Sequence, residues 1–180
     1  MRRPAASGIA CGVLLALSAH GAFAVELPTR KPGLWEMKMA RTGSQMPDMT
    51  MQHCTDATID KEMNSNVAPM AKQMCSKQDL QQTANGYVAD FVCTIGGINS
   101  TGHTEIVGDF NSAYVVKTTS HFEGGKAGAP ARDTTMTIEA KWLGACKPDQ
   151  KPGDIVMPGG MKMNVKDMEK LKALLPGAKQ

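Results

Sequence analysis

The chain has 180 residues with 20 Lys and Arg against 17 Asp and Glu, a formal charge of +3 at neutral pH. No Lys/Arg cluster of the kind a phosphate backbone requires is present, so nucleic acid is excluded as an expected partner. Four histidines and the lack of any GxSxG, HExxH, P-loop or GxGxxG pattern leave little for catalysis, and no catalytic residue is expected.

Residues 1–24 read as an export signal. Arg2 and Arg3 form a positive start, Ile9 to Ser18 an apolar run, and Ala22-Phe23-Ala24 a small-x-small cleavage site. The apolar run is too short to span a bilayer, and nothing later is longer, so no integral membrane segment is expected after signal removal. Arg2-Arg3 lack the flanking pattern of twin-arginine export, and Cys11 precedes most of the apolar run, which argues against a lipid anchor. Removal of the signal leaves 156 residues and a formal charge of +1, one domain's worth of chain in the periplasm or outside the cell.

In chain order, Gly33 to Met39 alternates Trp35, Met37 and Met39 against Glu36 and Lys38, the pattern of a strand with one wet face. A second strand is expected over Thr50 to Cys54. Asp56 or Thr55 can then cap a short helix that Asn64-Ser65-Asn66 and Pro69 stop from extending. Asn85-Gly86 marks a hairpin between Lys77 to Ala84 and Tyr87 to Ile95. Thr101 to Phe110 and Ala113 to Glu123 form a second hairpin, and GGKAGAPAR (124–132) is a loop. From Asp133 onward, Met136, Ile138, Ala140 and Trp142 alternate with Thr135, Thr137, Glu139 and Lys141, which predicts the best-ordered strand of the chain. Residues 146–164 read as an irregular tail. Asn164 can cap a helix over 165–175 whose Val165, Met168, Leu171, Leu174 and Leu175 share one side. The fold class is therefore all-β with two short helices, an antiparallel meander forming a curved sheet, sandwich or partly open barrel with the C-terminal helix packed on it.

Loss of Cys11 leaves Cys54, Cys75, Cys93 and Cys146, an even number in an exported chain, and so two disulfides with three possible connectivities. The Asn85-Gly86 hairpin brings Cys75 close to Cys93, which favours that bridge and leaves Cys54 for Cys146. Of the mature residues, thirteen are Met and only seven aromatic. Flexible thioethers can fill a core poor in rings, which suits Met37, Met39 and Met136. Met46, Met49, Met51 and His53 instead fall within eight residues of a polar segment, and thioethers with an imidazole suit Cu(I), so these four are the candidate metal set. Exposed thioethers also oxidise to sulfoxides, which makes oxidant buffering a related expectation. Trp35 and Trp142 are the candidate apolar ligand face, with a small apolar ligand or an envelope component as partner.

KPGLWE at 31–36, CSKQD from Cys75, GDFNSAYVVK at 108–117, TTMTIEAKWLGAC at 134–146 and KPGDIVMPGGMKMN at 151–164 together resemble the bacterial domain-of-unknown-function family 3617. The resemblance implies a secreted or periplasmic protein. It carries no activity or catalytic residue to this chain. The expected function is a non-enzymatic binding or envelope-associated module, with Met-mediated Cu(I) binding as the alternative.

Overall fold

The computed structural model describes residues 26–43, 47–125 and 130–167, without the side chains of residues 66–70. The leader, Met46 and the C-terminal stripe beyond residue 167 lie outside the described residues. The strands are β1 Gly33–Thr42, β2 Met49–Thr55, β3 Cys75–Thr83, β4 Gly86–Ile95, β5 Ile98–Asp109, β6 Ala113–Gly124, β7 Arg132–Gly144, β8 Asp154–Val156 and β9 Lys162–Asn164. They form one antiparallel sheet in the order β3-β4-β5-β6-β7-β1-β2-β8-β9. β3 to β7 are a plain meander. β1 then docks on β7 along one side while it pairs with β2 along the other, so the alternating strand Arg132–Gly144 takes the central place.

The Asn-Gly signal is read one residue early by the chain. Thr83 pairs with Gly86, so Ala84-Asn85 make the two-residue turn. Gly86 has φ 154, and its missing Cβ clears the Ile106 carbonyl of β5. At the other end of the hairpin Cys75 faces Cys93, and the two are joined. The second bridge joins Cys54 to Cys146 across 92 residues of sequence. Closing a loop of that size restrains the unfolded chain by about 4–5 kcal/mol in the chain-entropy account, so this bridge is the larger of the two staples.

One helix, α1 (Ala57–Met74), links β2 to β3. Asp56 caps it by accepting the Ile59 N–H. The residues expected to stop it, Asn64 to Asn66 and Pro69, lie inside it. Propensity is a local term of about 3 kcal/mol for an interior proline, and here both helix ends are held elsewhere. Asp60 pairs with Arg30 at the start, and the Cys75 N–H bonds the Ala71 carbonyl at the end, beside the Cys75–Cys93 bridge. Eighteen residues give a rod of about 27 Å. Six inter-strand steps from β2 to β3 amount to about 29 Å, so α1 spans the sheet from one side to the far edge.

The expected irregular tail is partly paired. Ile155 stands opposite His53 and Met163 opposite Ile155, which extends the sheet by two three-residue strands. Only the first turn of the expected C-terminal helix, residues 165–167, is described; there Lys166 lies 3.6 Å from Glu62 of α1.

A candidate binding face on the sheet

Strand alternation and register divide the sheet into two chemically different faces. The inner face, that of Trp35, carries Met37 and Met39 on β1, Met49, Met51 and His53 on β2, and Met136, Ile138, Ala140 and Trp142 on β7. Across the meander it continues through Tyr114, Val116 and Phe122 on β6, Ile106 on β5, and Tyr87, Ala89 and Phe91 on β4. Glu36, Asp79, Asp90, Glu105, Asp109, Glu123, Asp133 and Glu139 alternate onto the outer face, so no carboxylate of β1–β7 points inward. The inward cations of those strands are Arg41 and Arg132, and Arg132 stacks 5.4 Å over the Phe122 ring.

The base of the inner face is closed by α1. Arg30 grips Asp60 with Nη2 at 2.6 Å, Nε at 3.1 and 3.2 Å and its backbone N–H at 2.7 Å, while the Thr55 hydroxyl donates to the same carboxylate at 2.7 Å. All three residues are buried. Burial alone would push Asp60 up; the Arg30 hydrogen bonds and charge outweigh it and hold the carboxyl below its usual range. Burial alone would lower Arg30; its interactions with Asp60 and Tyr114 outweigh that and raise it.

His53 completes the cluster. Its ring is fully buried, and Nδ1 lies 3.2 Å from Arg30 Nη2. Guanidinium nitrogens only donate, so Nδ1 is the acceptor and the neutral ring carries its proton on Nε2. Burial first, and the Arg30 charge second, lower its pKa to about 4. Nε2 has no hydrogen-bond partner among the described residues.

Above this base the rings line up. Trp35 lies 5.6 Å from Tyr114, Tyr114 stacks on Phe110 at 4.7 Å, and Phe110 meets Tyr87 edge-on at 6.1 Å. Phe91 lies over Gly102 of β5, where any Cβ would strike the ring. Trp35 itself has no exposed surface and donates Nε1–H to the Lys31 carbonyl, so it is the floor. Trp142 is half-buried, donates to the Pro32 carbonyl, and has the Lys31 ammonium 3.7 Å over its ring.

The methionines from two distant segments meet here. Met37 stands directly opposite Met51, and Met39 opposite Met49, with Met136 opposite Arg41 on the next strand. All five are half-buried. Sequence spacing placed Met49, Met51 and His53 on one strand face, and the register shows that face. The joining of Met37, Met39 and Met136 to them could not be seen, because it depends on which strand β1 and β2 choose as neighbours. Met37 Sδ and Met136 Sδ accept from Arg30 and Arg41 at 3.8 and 3.5 Å. Arg30 and Asp60 were also missed; thirty residues apart, neither belongs to a periodic pattern.

The remaining polar groups are satisfied locally. His103 lies 2.8 Å from Asp90, and His121 lies 2.6 Å from Asp133 and 3.0 Å from Glu123, all on the exposed outer face. The Asp133 and Glu123 hydrogen bonds raise the His121 pKa. Among the described residues no group of three or more His, Cys, Asp or Glu is placed to hold a metal ion. A depression of about 730 Å³ lies in the tail, lined by Asp149, Lys151, Asp154, Lys162 and Asn164 among others. Its polar groups pair with one another, Lys162 with Asp149 and Asn164 with Asp154, and it lies apart from the apolar face.

Residues 30–146 match the family described as protein of unknown function (DUF3617). The chain belongs to that family. The match takes in the base cluster and all four bridged cysteines of the DUF3617 chain. No curated protein and no solved structure matches it. The two disulfides fit an oxidising, exported environment, and among the described residues no helix is long and apolar enough to cross a membrane.

Proposed function

We propose that this DUF3617 protein is a non-enzymatic, periplasmic or secreted binding module that holds an apolar ligand on the inner face of its sheet. One observation carries the reading. Met37, Met39, Met49, Met51, Tyr87, Phe91, Tyr114, Val116 and Ile138, joined through the buried Ile106 of β5, form a continuous apolar surface across six strands, yet each of the nine stays only half-buried. Among the described residues the buried apolar side chains are few and gather mainly at the base, Leu34, Trp35, Cys54 and Ile59. A sheet that keeps its rings and thioethers on one face without sealing them is built to take up apolar surface from outside.

The test uses two adjacent residues on opposite faces. N-phenyl-1-naphthylamine, a neutral fluorophore that brightens in apolar surroundings, is titrated into the exported protein, Val116→Asp and Val115→Asp. Val116 faces inward and Val115 outward. Saturable binding lost in Val116→Asp and kept in Val115→Asp is expected. No binding by the unaltered protein, or equal loss in both variants, sinks the reading.

The methionine pairs favour a second reading, Cu(I) binding. Thioethers are soft neutral ligands with three rotatable bonds, so sulfurs on opposed and diagonal positions can converge. Met39, Met49 and Met51 are the set this geometry supports, since the sulfurs of Met37 and Met136 face arginines. His53 contributes no lone pair: Nδ1 is taken by Arg30 and Nε2 carries the proton. Met46 lies outside the described residues. Thioethers release no proton on binding, so competition against a Cu(I) chelator should give the same affinity at pH 5.5 and pH 7.5. Changing Met39, Met49 and Met51 to Leu should abolish it, while Met37→Leu should not. Affinity that falls with pH points to an imidazole and removes this reading.

A further inference from the structure

The sheet does not close on itself, so it has two edges, β3 and β9. They are unequal. β9 is three residues long, whereas β3 runs for nine, Cys75–Thr83. Among the described residues β3 pairs with β4 alone. We infer that this edge is a self-association surface: β3 of a second copy adds antiparallel to β3 of the first about a twofold axis, and the two sheets become one.

Which backbone groups face outward follows from the hairpin turn. A two-residue connection makes its flanking pair, Thr83 and Gly86, exchange both backbone hydrogen bonds, and the unbroken register from there back to Lys77 fixes the alternation. Lys77, Asp79, Gln81 and Thr83 therefore turn their backbone groups to β4. Gln78, Leu80 and Gln82 turn theirs to the open side, each an N–H and a carbonyl. Proline, a usual block on an exposed edge, does not occur in β3, and its two charges, Lys77 and Asp79, both lie on the outer face.

One twofold register uses all three outward residues of both copies. It sets Leu80 opposite Leu80, with Gln78 opposite Gln82 on either side. These residues share the inner face with Ala89, Phe91 and Tyr87 of β4, so the joint places leucine on leucine and amide on amide there. On the outer face Asp79 comes opposite Gln81 of the second copy, and Lys77 opposite its Thr83. Within one chain the Gln81 side-chain amide already donates to Asp79 at 2.9 Å, so the same donor and acceptor meet again across the joint, and no like charges are opposed. Either neighbouring twofold register pairs only two of the three outward residues, and one of them sets Asp79 against Asp79. The axis stands perpendicular to the sheet, which leaves both inner faces on one side with the leucine pair between them.

A joint of one short strand per copy is smaller than a standard protein interface, so association should lie in the micromolar range. Sedimentation velocity on the exported protein from about 1 to about 300 μM should show monomer giving way to dimer. Monomer throughout overturns the proposal. Leu80→Pro deletes an outward N–H and no bond to β4, so this variant should keep its circular dichroism and lose the dimer. A folded Leu80→Pro protein that still dimerises places the contact elsewhere and overturns the β3 edge. Should that variant fail to fold, Gln81 decides. Gln81→Lys faces Asp79 of the second copy and should tighten association about threefold to tenfold, while Gln81→Asp should weaken it by about as much. Shifts in one direction, or none, overturn the pairing. Amide exchange separates a second copy from any other occupant: the N–H groups of Gln78, Leu80 and Gln82 should slow as concentration rises. Slow exchange already present in the dilute monomer would put another segment of the chain on the edge and overturn self-association.

Discussion

Two regions of the same face are built on opposite principles. At the base, Arg30, His53, Thr55 and Asp60 are buried polar groups, with the Arg30 guanidinium over the buried Trp35 ring, and nearly every hydrogen-bonding atom is spoken for. Two levels away, Met37, Met39, Val116 and Ile138 are apolar and half-open. The usual arrangement of apolar inside and polar outside is inverted between them. What this teaches is a division of labour. The base fixes where β1, β2 and α1 meet, and the open levels carry few polar bonds, which is what the proposed binding reading requires.

The strongest way to break that division is at the ion pair. Asp60→Asn leaves the Arg30 guanidinium buried without its counter-charge, which should cost about 3–5 kcal/mol of unfolding free energy in denaturant titrations. The double replacement Arg30→Met with Asp60→Leu removes both charges and should recover much of that loss, because the desolvation of two ions disappears with them. If Asp60→Asn were no more harmful than a substitution on the open levels, the base would not be the structural half.

Histidine 53 sharpens the same point through pH. Its folded pKa of about 4 lies below the ordinary value of 6.5, so between these limits the unfolded chain takes up the proton and the folded one does not. Stability is fully present above pH 6.5 and is lost as pH falls toward 4, by about 3 kcal/mol across that window. Asp60, held low, adds its own loss only in stronger acid. His121 on the exposed outer face has the opposite sign, since its raised pKa gives stability below 6.5 that fades as pH rises. In His53→Gln the amide oxygen can still accept from Arg30 and nothing titrates there, so melting temperature should become nearly flat from pH 6.5 to 4.5.

The open levels were the more legible half in the sequence. Trp35, Met37 and Met39 against Glu36 and Lys38, and Met136 to Trp142 against Glu139 and Lys141, declare their faces by simple alternation. The Asn85-Gly86 turn led to the Cys75–Cys93 bridge for the same local reason. The base was opaque. Arg30 sits in an irregular stretch between prolines, Asp60 on a helix whose length local breakers understate, and their meeting is a tertiary event with no periodic trace. The same holds for β8 and β9, since three residues are too few to show a period. His53 looked like an accessible ligand because alternation assigns it a face without saying that Arg30 and Trp35 close over that end of it.

The smallest expected effect belongs to the open levels themselves. Met39→Leu and Met49→Leu conserve volume and remove no hydrogen bond to backbone or charge, so each should change stability by less than about 1.5 kcal/mol. Leucine is branched and stiffer than the unbranched thioether, which adapts to irregular apolar surfaces. Binding of N-phenyl-1-naphthylamine should therefore weaken while the denaturation midpoint barely moves. A base substitution such as Asp60→Asn should show the reverse at temperatures where it remains folded. Two variants moving two observables independently is what separate structural and receptive regions require. A single shared decline would mean that the open levels are simply the upper part of one packed core.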